Sequence, residues 1–183
     1  MAELLAVETA LFFGGRRIRP IFKSEFAKSK IVRWAFSRVG GIPVERGTAD
    51  MKCLRAAQHA LQRGEDVLIF PEGTRTRAGV PMKLKRGVAH AALRTGCRLA
   101  VVHIRSSHAW LNKDTQWYEI PAVRPSIRLT FEGMIDPKDY LREGEDGYSL
   151  ASRRLTEAMR RELLKAAGRE DEIEGKARGR RQN

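Results

Sequence analysis

The 183-residue chain has little of what most quickly classifies a protein. Its two cysteines, Cys53 and Cys97, cannot build a disulfide framework, and nothing at its start resembles a secretory signal, so a reducing compartment is expected. No apolar run approaches the ~20 residues of a membrane span; the best, Leu4 to Phe13, is interrupted by Glu8 and Thr9. Cysteines and histidines never fall at metal-ligand spacing, and a serine hydrolase's Gly-x-Ser-x-Gly elbow is missing. Aromatic residues make up only 7%, no repeat or linker divides the chain, and acids number 22 against 35 lysines and arginines. The remaining composition, 42% apolar and 31% charged, excludes a disordered chain and fits one domain.

The net charge of +13 is concentrated in two places. Arg16 to Arg38 holds eight basic residues against Glu25 alone, and Glu72 to Arg105 holds eight against Glu72 alone. The rest of the chain is close to neutral. Such blocks draw anions, whether nucleic acid, an anionic membrane surface or a phosphorylated substrate. A nucleic-acid-binding protein would bring more aromatics, a recognisable motif or an extended basic arm, so no nucleic-acid partner is expected.

Periodicity predicts an alternating order of helices and strands. Residues 2–13 read as a short helix and Arg19 to Lys23 as a strand with Pro20 near its start. Ser24 is a candidate cap for a helix carrying Phe26, Ile31, Trp34 and Phe36, ended by Gly40 and Gly41. A short strand follows over Ile42 to Glu45, and Thr48 caps a helix with Met51, Leu54, Ala57 and Leu61, stopped by Gly64. Asp66 to Phe70 reads as a buried strand, about Gly87 to Thr95 as a helix, and Leu99 to Ile104 and Ile127 to Phe131 as strands. Ser149 is a candidate cap for a last helix to about Ala167, followed by a frayed, solvated tail. The expected fold is α/β, a single domain with a mixed, largely parallel sheet flanked by helices.

The informative segment is Val67-Leu68-Ile69-Phe70-Pro71-Glu72-Gly73-Thr74-Arg75-Thr76-Arg77. It delivers a carboxylate, a glycine, a hydroxyl and two guanidiniums to the carboxyl end of a strand, the edge where open α/β sheets bind ligands. Arg75 can grip a phosphate bidentately, Gly73 admits close approach of the backbone, and Glu72 can orient a hydroxyl or hold an arginine. A polar turn in which Glu72 merely pairs with Arg75 or Arg77 fits the same residues. Phe70 to Arg75 resembles the third motif of the PlsC-like glycerolipid acyltransferases. Phe22-Lys23-Ser24-Glu25 resembles that family's strand-to-helix step, and Gly40-Gly41-Ile42-Pro43-Val44-Glu45-Arg46-Gly47 its second motif. Lys83-Leu84-Lys85-Arg86-Gly87 is similar to the basic stretch after the third motif, and the four match in order over residues 16 to 105.

The resemblance implies acyl transfer from acyl-CoA or acyl carrier protein to lysophosphatidic acid, giving phosphatidic acid in phospholipid biosynthesis. It implies no metal or cofactor. A histidine oriented by an acid five positions later deprotonates the glycerol hydroxyl, which attacks the thioester. Arg46 and Arg75 would hold the substrate phosphate, Glu72 would position the glycerol or an arginine, and Gly73 and Thr74 would shape the loop. Lys85 and Arg86 would meet the donor phosphates or the membrane surface. The implied location is peripheral, on the cytoplasmic face of a membrane with an anionic surface; Leu11 to Phe13 beside Arg16, Arg17 and Arg19 suit such an interface.

The departure is the first motif, His-x-x-x-x-Asp. None of His59, His90, His103 and His108 has an acid five positions later, and spacing puts the motif's acid near Glu3, with its histidine ahead of Met1. The fourth motif departs too, with Val101 where a proline is usual. The expectation is an N-terminally truncated acyltransferase domain over residues 1–167 and a charged tail over 168–183. The alternative is a catalytically inactive family member that binds phospholipid.

Overall fold

A computed structural model of the chain describes residues 17–25, 30–45, 51–73, 80–107, 122–124, 126–144 and 147–173. The helix expected over 2–13, the Thr48 cap, and most of the segment 105–124 lie outside them. The elements are β1 (Ile18–Lys23), α1 (Lys30–Arg38), β2 (Ile42–Val44), α2 (Met51–Gln62), β3 (Asp66–Leu68), α3 (Gly87–Thr95), β4 (Leu99–Ser106), β5 (Ile127–Ile135), a 3-10 turn (Pro137–Tyr140) and α4 (Ser149–Ala166).

The first three strands form a parallel sheet in the order β2-β1-β3, with β1 central. Ile21 to Lys23 pair with Ile42 to Val44 on one side, and Ile18 to Pro20 with Asp66 to Leu68 on the other. This stagger explains how a proline sits in the central strand. The Arg17 carbonyl accepts from the Asp66 N–H, so even-numbered residues of β1 turn their backbone groups toward β2. Pro20 thus lacks its N–H just ahead of the first residue paired with β2, where the Gly40 carbonyl instead accepts from the Arg19 guanidinium at 3.3 Å.

β4 and β5 form a separate antiparallel pair, with an irregularity between Val101 and Val102. The helices bury stripes that match their spacing. Val88, Ala89, Ala92 and Leu93 of α3 pack with Val101, Ile135 and the Ala151, Leu155 and Met159 stripe of α4. Ile69 and Leu84 join this core from the two ends of the informative loop. A smaller cluster of Ile42, Cys53 and Ala57 seats α2 on the parallel sheet. Phe36 stacks on Phe22 with ring centroids 3.9 Å apart, which seats α1 on β1.

Two local expectations are corrected. β3 ends at Leu68 rather than Phe70 and is half-buried, because among the described residues it pairs with one strand and Pro71 lies close ahead. Ser149 is the first residue of α4; Tyr148 holds the cap position and makes no side-chain cap bond.

Candidate functional site

The carboxyl ends of β1, β2 and β3 lie along one edge of the parallel sheet, and each is followed by one of the motif segments. Phe70-Pro71-Glu72-Gly73 closes as a turn, the Gly73 N–H donating to the Phe70 carbonyl at 3.0 Å. Proline at the second position presets the needed φ, and Gly73 adopts φ +64°, which a side chain rarely takes. The chain leaves the sheet with Ile69 anchored in the core, Phe70 38% exposed and Glu72 half-buried, its Oε2 shut off from solvent.

The basic stretch returns over this turn. The Lys85 N–H donates to the Pro71 carbonyl at 2.9 Å, and Leu84 is tucked into the main core. The Lys85 side chain crosses Gly73, its Cε 3.0 Å and its Nζ 3.3 Å from where a β-carbon would stand. An ammonium therefore lies beside the Glu72-Gly73 backbone, where it can meet an anion that approaches the turn. Of the residues singled out in the sequence, the structure brings together Glu72, Gly73 and Lys85. Arg86 is exposed at the start of α3, with no side-chain capping bond. Glu3, Arg46, Thr74 and Arg75 lie outside the described residues.

Three of the four histidines lie on described elements, His59 on α2, His90 on α3 and His103 on β4. His59 is exposed on α2. His90 is half-buried on α3, where desolvation, with Arg86 and Arg94 adding, lowers its pKa and favours the neutral ring. The His103 Nδ1 lies 4.0 Å from Glu132 on the β4–β5 pair, and His108 lies outside the described residues. No group of three or more potential metal ligands occurs among the described residues.

Sequence reasoning missed what holds the return stretch in place. The Arg160 Nε of α4 donates to the Met82 carbonyl at 3.0 Å, and the Met82 N–H donates to Glu172 at 3.1 Å. The single local signal was a charged residue next to Met159 on a buried helical stripe.

Fold and edge geometry together define an α/β domain built to present loops at one sheet edge. An Acyltransferase family model matches residues 4–105, more than half of the chain. The chain belongs to this acyltransferase family, and the PlsC-like resemblance read from its motifs holds. Over 92 residues it is 34% identical to the chloroplastic 1-acyl-sn-glycerol-3-phosphate acyltransferase LPAT1 of Arabidopsis thaliana, covering 49% of this chain and 25% of that protein. Over 84 residues it is 30% identical to the chloroplastic 1-acyl-sn-glycerol-3-phosphate acyltransferase BAT2 of Brassica napus, covering 45% and 24%. The chain thus spans about a quarter of the length of these curated relatives. The crystal structure of the 1-acyl-sn-glycerophosphate acyltransferase PlsC from Thermotoga maritima shares the fold, with a TM-score of 0.53 and 24% identity over 80% of this chain and 56% of that one.

Proposed function

We propose that the chain provides the lysophosphatidic acid-binding part of an acyltransferase that takes its acyl group from acyl-CoA or acyl carrier protein and forms phosphatidic acid. The observation that carries this reading is the Phe70–Gly73 turn, set at the carboxyl edge of the sheet with Lys85 laid across it. In this reading Arg46 and Arg75 clamp the phosphate, and Lys85, laid across Gly73, adds a third cation. Glu72 orients the glycerol hydroxyl or the arginine beside it. The acyltransferase domain is taken as residues 1–167, followed by a charged C-terminal stretch.

The acceptor is a lipid, and α1 carries features that suit an anionic membrane surface. Trp34 is 62% exposed, the Arg38 guanidinium lies 5.5 Å from the centre of its ring, and Lys30 and Arg33 stand on the same nine-residue helix with no acid among them. No helix among the described residues is long and apolar enough to cross a membrane.

Two measurements test the reading. Lysophosphatidic acid should bind saturably, and Arg75→Ala should weaken it about tenfold or more, as loss of a bidentate phosphate contact does. Unchanged binding in Arg75→Ala removes that residue from the site. Turnover with acyl-CoA and acyl carrier protein donors then separates an acyltransferase from a family member that only binds phospholipid.

A further inference from the structure

The last described residues are docked, contrary to the solvated tail expected from 168 onward. α4 ends with the Gly168 N–H donating to the Lys165 carbonyl and the Arg169 N–H to the Leu164 carbonyl, both at 2.9 Å, with Gly168 at φ +67°. This hydrogen-bond pair is the Schellman ending, which reverses the chain. It sends Arg169 to Ile173 back over the segment that leads into the basic stretch. Arg169 donates to the Val80 carbonyl at 2.7 Å and is ion-paired with Glu172. Glu172 accepts from the Met82 N–H at 3.1 Å and lies 3.5 Å from the Arg160 guanidinium. Arg160, only 8% exposed, completes the arrangement by donating to the Met82 carbonyl, with Glu157 3.7 Å away on its other side.

Met82 is thus held at both its N–H and its carbonyl, Leu84 is held by the core, and Lys85 is bonded to Pro71. A flexible lysine stem reaches one place over Gly73 only if its backbone is fixed, since otherwise ordering it costs entropy on binding. The Arg160–Glu172 pair, buried at Arg160 and half-buried at Glu172, grips at Met82 a backbone that lies outside any helix or strand, and these bonds offset the cost of taking charge out of water.

We infer that residues 169–173 are a strap which, through the positioning residues Arg160 and Glu172, fixes the 80–85 segment and so sets Lys85 over the substrate turn. The strap lies outside the family-matched residues 4–105 and far in sequence from every motif. The consequence for substrate affinity rests on the proposed phosphate site; the consequence for backbone order does not.

The test uses the 183-residue chain and backbone amide exchange resolved by residue. Glu172→Ala should speed exchange at Met82 and Lys85 about tenfold or more, while Cys53, Ala57 and Ala60 of α2 keep their protection and show that the fold is intact. Glu172→Gln, whose amide oxygen still accepts, should restore much of the protection at Met82. Lysophosphatidic acid affinity should fall about tenfold in Glu172→Ala and no further when Lys85→Ala is already present. Unaltered exchange at Met82 and Lys85 overturns the strap, as does an equal loss of affinity in both backgrounds. If exchange responds as expected while the unaltered chain binds no lysophosphatidic acid, the strap is supported and the substrate reading fails instead.

Discussion

A side chain at position 73 would have to adopt a backbone conformation that L-residues avoid and displace the end of Lys85 as well. Gly73→Ala is therefore expected to cost about 1–2 kcal/mol of stability from the left-handed φ alone. The larger effect should be on ligand, because the methyl group falls 3.0–3.3 Å from the last carbons and the nitrogen of Lys85. Lysophosphatidic acid affinity should drop about tenfold or more, and calorimetric titration beside a thermal melt measures the two effects separately. A stability loss with unchanged affinity would mean that Lys85 does not touch the ligand. The same position shows what a motif conceals: glycine was legible as a point of close approach, but what approaches it was not. Lys85 is twelve residues further on, and only the Leu84 anchor and the Pro71 bond bring the two together.

At the scale of elements, helix ends were legible and strand limits were not. Gly40, Gly64 and Gly168 close α1, α2 and α4 with the same pair of bonds, one from the glycine N–H three residues back and one from the next residue five back. Gly40 and Gly64 stood out because glycine follows a helical stripe. β3 misled because Ile69 and Phe70 are as apolar as the strand, yet one belongs to the core and the other to the turn. The start of the sheet hid another long-range device. Arg19 of β1 grips Glu65, just before β3, through two nitrogens, and the same guanidinium reaches the Gly40 carbonyl ahead of β2. The hydrogen bond from Arg19, helped by Arg63, lowers the Glu65 pKa from 4.5 to about 2. The folded state holds this carboxylate ionised more strongly than the unfolded chain does, so the stabilisation is complete above pH 4.5 and disappears as pH falls toward 2. Glu65→Gln should thus melt lower than the parent at neutral pH, and the gap should close through that window. A gap that stays constant with pH would show that the pair does not stabilise the fold through its charge.

For the whole molecule, the charge of +13 is not spread evenly but falls in two blocks, one containing α1 and the other running from Glu72 through the basic stretch to Arg105. Attraction to an anionic bilayer contributes about 1 kcal/mol for each lysine or arginine near the surface and is screened beyond about 8 Å at physiological salt. Burial of an exposed indole, by contrast, is an apolar contribution that salt does not weaken. The two contributions can be separated on α1. Replacing Lys30, Arg33 and Arg38 together by alanine should lower partitioning onto anionic vesicles roughly a hundredfold in low salt and flatten its dependence on salt. Trp34→Ala should lower partitioning by a similar factor at every salt concentration and leave the slope unchanged. Vesicle co-sedimentation across a salt series reads both. If neither variant differs from the parent, α1 does not face the lipid. Under the proposed function the acceptor is a lipid, and an exposed indole flanked by cations on α1 is a surface suited to deliver the protein to it.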